Sequence, residues 1–315
     1  MKIFFSLLSI FTLFLSAAYS EETKPIKIAV ILSKTGVAAT AHKRMLLTTK
    51  LSIEKINKSG GILGKKIKTF EIDNQSTPIG TKLAVQKAIS ENVTAVVGCS
   101  RSSNALVAGP MLNDAQIIMI TPSATNPKVT LAGNYIFRVC FRDNVQGQIM
   151  ANFAINDLKS KNAVVLTNTS HKYSIDLSQY FMKHYEILGG TIFWEGDFID
   201  NMSDFSSILT KTKELNPDVI YLPAYVRDTR FIIKQARQMG IASIFLGCDA
   251  WGPKILEYAK DAVNGSYLTD HWHKDIDSHG SREFVKEFRK KYKITPGSAS
   301  ALTYDAINIL ANAIK

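Results

Sequence analysis

The 315-residue sequence predicts an α/β protein built of two doubly wound, Rossmann-like lobes joined by a hinge. Three observations carry this. Short β-branched runs alternate with amphipathic segments of helical period, the rhythm of a parallel sheet covered by helices. That rhythm restarts once, near residue 144. The length agrees, because roughly 100–200 residues per domain gives two domains. A chain that is 46% hydrophobic and 21% charged can bury two cores, which excludes disordered and fibrous classes.

The elements follow in order. Ile26 to Leu32 is nearly continuously apolar, as expected of a strand buried on both faces. A helix over 41–57 places Met45, Leu46, Thr49, Ile53 and Ile56 on one side, and Ser59-Gly60-Gly61 ends it. Strand 67–72, helix 80–90, strand 94–97, helix 103–114 and strand 117–120 complete the first series, followed by an extended segment from Tyr135 to Phe141. The second series holds helix 145–158, strand 163–167, helix 175–188, strand 191–198, helix 204–214, strand 219–223, helix 228–239 and strand 243–246. Strand 266–270 and helices 281–292 and 299–314 remain. The lobes are expected at 24–143 with 271–315, and at 144–270, with hinge crossings near 141–144 and 249–270. The sequence stops inside an amphipathic helix without a cap, which reads as an incomplete C-terminus.

Residues 1–20 read as a cleaved secretory signal. Lys2 is the one charge, Ile3 to Leu15 is an apolar run of thirteen, and Ala18-Tyr19-Ser20 places small residues before Glu21. A membrane anchor needs about 20 apolar residues, so this run is short for one. Cleavage near Ser20/Glu21 gives an exported, periplasmic product and lowers the net charge from +11 to +10. The remaining positive charge is scattered over helices, turns and strands. Without a groove-sized stripe it does not point to nucleic acid. The three cysteines, Cys99, Cys140 and Cys248, are too few for a disulfide scaffold or a four-cysteine metal site.

Chemistry concentrates in two loops. Gly98-Cys99-Ser100-Arg101-Ser102-Ser103-Asn104 runs from a strand into a helix start, where free N–H groups and a hydroxyl suit a carboxylate or phosphate. Thr121-Pro122-Ser123-Ala124-Thr125-Asn126 leaves the next strand. Ser and Asn there also serve as ordinary helix caps. Together the loops predict an anion-binding crevice at the carboxyl ends of neighbouring strands.

Gly98 to Pro127, with Asn134 to Val139 and Gln146-Gly147, resembles the type I periplasmic binding proteins of the leucine/isoleucine/valine branch, which serve ABC importers. Asn57 to Ile62, Lys234 to Gly240 and Thr303-Tyr304-Asp305-Ala306 extend the resemblance along the chain. It implies an amino acid held between the lobes. Ser102, through its hydroxyl and N–H, and the Thr125 N–H would meet the carboxylate. The Ser123 carbonyl and Thr125 hydroxyl, flanking Ala124, would receive the ammonium. Tyr173 and Tyr225 stand at positions that cover the ligand, and Asp249 at that of an acid pairing the ammonium. The partners implied are a small-molecule ligand and a membrane permease, with the protein a monomer and no cofactor. The alternative function is a periplasmic sensor for an amide, urea or small carboxylate.

One departure concerns the loop after the first strand. Many relatives carry an aromatic there, whereas this sequence has Gly36-Val37-Ala38-Ala39-Thr40-Ala41-His42, with Ala41 in the aromatic's place. His42 either leans into the vacated space or is solvated, and Trp251 either lines the pocket or packs beneath the hinge. Enzyme readings are weaker. The segment Gly98 to Ser102 lacks the closing Gly of a nucleophile elbow. Ser59 to Lys66 departs from a phosphate loop at both ends and reads as a turn. Cys99 as a nucleophile gives way to the commoner inert thiol. His271-Trp272-His273 puts two imidazoles on one strand face without a third metal ligand.

Overall fold

The computed structural model describes residues 24–252 and 254–315, so the expected signal segment lies outside the described residues. The first sheet is formed by β1 (Ile26–Leu32), β2 (Ile67–Asp73), β3 (Ala95–Gly98), β4 (Ile118–Thr121) and β5 (Ile136–Arg138), in the order β2-β1-β3-β4-β5. All pairs are parallel. Between these strands run α1 (Ala39–Lys58), α2 (Pro78–Ser90) and α3 (Ser102–Asp114). The second sheet contains β6 (Asn162–Asn168), β7 (Thr191–Phe198), β8 (Val219–Tyr221), β9 (Ile244–Gly247) and β10 (Tyr267–Leu268), in the order β10-β9-β8-β6-β7. Its helices are α4 (Asp143–Asn152), α5 (Lys172–Ile187), α6 (Ser206–Leu215), α7 (Val226–Gln238) and α8 (Lys254–Ala259).

Strand order reverses in each sheet, between β1 and β3 in one and between β6 and β8 in the other. At such a point neighbouring connections leave in opposite directions and open a crevice beyond the carboxyl ends of the strands. The two crevices face each other here. Side chains following β3 and β4 in the first lobe share one cavity with those following β6, β8 and β9 in the second.

After β10 the chain returns to the first lobe through α9 (His279–Tyr292) and α10 (Ser298–Ile314). Ala306, Ile307, Leu310 and Ala311 of α10 are buried in one cluster with Ile28, Val97 and Ile120 of the first sheet. Phe284 and Phe288 of α9 pack on Ala301, with Leu47 and Leu51 of α1 against them. The second lobe has a core of its own, with Phe181, Tyr185, Tyr221 and Phe245 fully buried.

Some boundaries differ from the expectation. The single helix expected over 145–158 is α4 followed by a π-helical turn, Phe153–Asp157, ended by the Ser160 hydroxyl donating to the Ala154 carbonyl at 2.8 Å. The strand expected over 266–270 shortens to two residues because Thr269 turns its hydroxyl to Gln146 Oε1, at 2.6 Å. Helix α8 and the 3-10 turns at Pro127–Ala132 and Lys260–Val263 are too short to show a period and have no counterpart among the expected elements. Ser59 to Lys66 forms a tight turn. Ile62 and Lys65 exchange both backbone hydrogen bonds, and a side chain at Gly61 (φ +82°) would meet the Lys65 carbonyl at 2.1 Å.

Candidate ligand-binding site

The first wall is made by backbone geometry at the end of β3. Gly98 (φ +146°) passes so close to β1 that a Cβ would lie 2.2 Å from the Ile31 carbonyl. Cys99 then adopts a left-handed conformation (φ +55°), costly for a residue with a side chain, while its N–H donates to the same carbonyl at 2.8 Å. This turn carries Ser100, Arg101 and Ser102 across the crevice. The Arg101 carbonyl accepts the N–H groups of Asn104 and Ala105, so α3 begins with its first donors facing the cavity. Ser102 Oγ accepts the Asn126 N–H at 3.3 Å and keeps its own proton to give. The Ser100 hydroxyl is buried with no protein partner among the described residues.

The second loop is fastened to the first. Thr121 Oγ1 donates to the Cys99 carbonyl at 3.3 Å and accepts the Ala124 N–H at 3.2 Å. Ser123 Oγ donates to the Ser100 carbonyl at 3.4 Å. Ser102 and Ser123 line the cavity, whereas Ala124 and Thr125 are fully buried and lie outside its lining. The Ala124 carbonyl is taken by Arg138 at 3.0 Å and the Thr125 carbonyl by the Asp143 N–H at 3.0 Å. The loop turns inward after Ser123 to meet α4, so that Thr125, whose N–H and hydroxyl are expected to meet the ligand, is buried behind the lining.

The second wall is made by side chains from distant parts of the chain. Tyr173, in the first turn of α5, donates its hydroxyl to Asp249 Oδ1 at 2.6 Å. Asp249 follows β9. Its other oxygen lies 3.2 Å from His271 Nε2, and its backbone N–H donates to Gln146 Oε1 at 2.9 Å. Burial pushes the Asp249 carboxyl up, but the bond and charge of His271, with Tyr173 and Gln146, outweigh it and hold the group below the usual carboxylate range. Asp249 is thus an anion at neutral pH in a buried position. Tyr173 stays a neutral donor, since burial and the Asp249 charge push its phenol well up. Tyr225, the residue before α7, stacks on Tyr173 with ring centroids 5.4 Å apart.

The cavity between these walls spans about 970 Å³, including solvent at its mouth. Ala41 lines it, as does Met45. His42 is buried, which settles the solvated alternative against it. Its Nδ1 accepts the Ser33 N–H at 2.9 Å, leaving Nε2 to carry the proton, and burial with the nearby Arg101 charge pulls its pKa down to about 3. Trp251 is almost fully buried. It lines the cavity and belongs to the second-lobe core, donating Nε1–H to the Leu222 carbonyl at 3.1 Å.

The side chains at the cavity that were not anticipated include Arg44, Arg101, Lys254 and His271. His271 was expected to share a strand face with His273. Residues 271–273 lie outside any strand, and His271 turns into the cleft against Phe141, with ring centroids 3.7 Å apart. His273 stays on the surface beside Asp275. Among the described residues no group of three or more His, Cys, Asp or Glu is placed to hold a metal. Burial pushes the thiols of Cys99 and Cys140 up to about 12 and that of Cys248 further, so none is a thiolate at neutral pH.

A model of the periplasmic binding protein family matches residues 25–315. The chain belongs to that family. The binding protein is 27% identical over 301 residues to the leucine-, isoleucine-, valine-, threonine- and alanine-binding protein of Pseudomonas aeruginosa, covering 95% of this chain and 80% of the other. Its fold superimposes on a leucine-binding protein of Thermotoga maritima with a TM-score of 0.87 and 32% identity, covering 92% and 82% of the two chains. A branched-chain amino acid transporter substrate-binding protein of Streptococcus pneumoniae, in complex with isoleucine, gives 0.88 at 29% identity, covering 93% and 84%. The two α/β lobes are those of the type I periplasmic binding proteins. No helix among the described residues is long and apolar enough to cross a membrane.

Proposed function

We propose that this protein is exported, with its leader removed near Ser20/Glu21, captures an amino acid between its lobes by hinge closure, and delivers it to an ABC permease. One observation carries the reading. Donors at the start of α3, around Ser102, and a buried carboxylate, Asp249, stand on opposite lobes and line the same cavity. A zwitterion satisfies both at once, because a charge taken out of water needs a partner at each end. A ligand that bridges the lobes stabilises the closed state by its contacts with both. Tyr173 and Tyr225 cover it, and Tyr173 holds Asp249 in place.

The lobes already touch beside the cavity. Asn126 Nδ2 donates to Asp176 Oδ2 at 2.7 Å, linking the loop after β4 to α5. The transport role is supported by relatives that bear that description. A thermal-shift panel of amino acids, amides, ureas and carboxylates tests the reading. A bound amino acid at about 100 times its dissociation constant raises stability by about 2.7 kcal/mol. Response to a non-amine carboxylate with none to any zwitterion contradicts it.

A further inference from the structure

Arg101 carries the next step. It sits in the hydroxyl-rich loop at the start of α3, only 7% of its surface is exposed, and its guanidinium lines the cavity. Its neighbours are Tyr225, whose hydroxyl bonds to it, and His171, with the Asp200 carboxylate behind the imidazole close enough to feel its charge. The guanidinium carbon lies 3.9 Å from the centre of the Tyr225 ring, and Nη2 lies 3.1 Å from His171 Nε2. That same ring nitrogen is 2.8 Å from Asp200 Oδ1. One nitrogen cannot donate to a carboxylate while accepting from a guanidinium. The Asp200 carboxyl, held down to about 2 chiefly by its bond to His171, is an acceptor only, so Nε2 carries the hydrogen. The Nη2 group of Arg101 therefore faces an N–H, and Arg101 forms no direct ion pair with an Asp or Glu among the described residues, the Asp200 charge reaching it only from beyond the imidazole. A buried cation in this state is costly unless an anion joins it.

The rest of the cavity agrees. Arg44, Arg101 and Lys254 line it against one acid, Asp249, so a ligand with no net charge leaves the excess uncompensated. The lining also includes Met45, Val226 and Trp251, apolar surface suited to a methylene stem. Ala41, small where relatives carry an aromatic, leaves room for it.

We propose that Arg101 is a specificity-determining residue that binds a second acidic group of the ligand, so that the cleft takes amino acids with an anionic side chain. This rests on the amino-acid reading and narrows it. Planar guanidinium and planar carboxylate meet through two parallel hydrogen bonds, which a lysine or a neutral side chain does not reproduce.

The test is calorimetric titration of the purified, ligand-stripped protein with L-glutamate, L-2-aminoadipate, L-glutamine, L-leucine, L-norleucine and glutarate, repeated on Arg101→Met and Arg101→Lys. At least one of the two acidic amino acids binds about ten- to a hundredfold more tightly than leucine and norleucine. Arg101→Met abolishes that ratio, and Arg101→Lys retains part of it. The ratio separates recognition from a general loss of lobe closure, which weakens every ligand alike, and Arg101→Lys decides the matter if Arg101→Met does not fold. Leucine bound as tightly as the acids, or a ratio unchanged in the variants, overturns the proposal and leaves the amino-acid reading standing. Glutarate bound with no response to any amino acid supports the anion site at Arg101 and contradicts the amino-acid reading. No response to any of the six overturns both.

Discussion

The two walls of the cleft are built by different means. The first-lobe wall is local: within a few residues, Gly98 and Cys99 set the turn, and α3 begins at once with Ser102. The second-lobe wall is assembled over distance. Tyr173 reaches Asp249 across 76 positions, Gln146 reaches it across 103, and His271 comes from beyond β10. The first wall offers donors set by one backbone turn, with the Arg101 cation among them. The second offers a carboxylate whose state and aim depend on three other side chains. On the amino-acid reading, the ligand carboxylate would meet the local wall and the ammonium the networked one.

The largest expected effect is on the networked wall. Asp249→Asn keeps the size and the Tyr173 contact but removes the charge, and should weaken amino-acid binding by about 2–5 kcal/mol, roughly thirtyfold or more, by calorimetry. On the local wall the comparable change is Gly98→Ala. It places a Cβ 2.2 Å from the Ile31 carbonyl at φ +146°, and should cost at least about 2 kcal/mol of stability in denaturant unfolding.

His42, beneath the first wall, gives a pH test. The unfolded chain takes up its proton near 6.5, whereas the folded protein does so only at about 3. Above about pH 6.5 the group has no effect. As pH falls below that, the unfolded state binds the extra proton and stability is lost, by about 2 kcal/mol at pH 5. His42→Asn, with an oxygen in place of Nδ1, should lack this acid-side slope in unfolding measured from pH 7 to 5. The smallest effect is at Tyr173→Phe, which keeps the stacking on Tyr225 and removes one hydrogen bond to Asp249. Binding should weaken by about 1.5 kcal/mol, with stability little changed.

The same contrast explains what the sequence revealed. The alternating strands and helices, and the two loops around Ser102 and Ser123, are local patterns and were readable from hydrophobic period and turn chemistry. Tyr173, Tyr225 and Asp249 came from the resemblance, and their convergence on one cavity needs the tertiary fold. Thr125 also came from the resemblance; its place behind the lining follows from the inward turn at Ala124, which depends on Arg138 and Asp143, and no local pattern links these to it. His271 was read with His273 as a strand pair, and the strand ends at Leu268. Arg101 had a sign in the sequence, one basic residue inside a run of hydroxyls, but its burial becomes evident only when Tyr225 and His171 arrive from the other lobe.

The central claim, that Asp249 on one lobe and the α3 start on the other hold the two ends of one zwitterion, is tested most directly by crossing protein and ligand changes. Affinities are measured for native protein and Asp249→Asn with L-glutamate against glutarate, and with L-leucine against 4-methylpentanoate. In the native protein, loss of the amine should weaken the better-binding amino acid by about as much as Asp249→Asn does. In Asp249→Asn, the same loss should cost almost nothing further. If Asp249→Asn weakens the deaminated acid as much as its parent amino acid, the carboxylate does not meet the ammonium and the account is wrong.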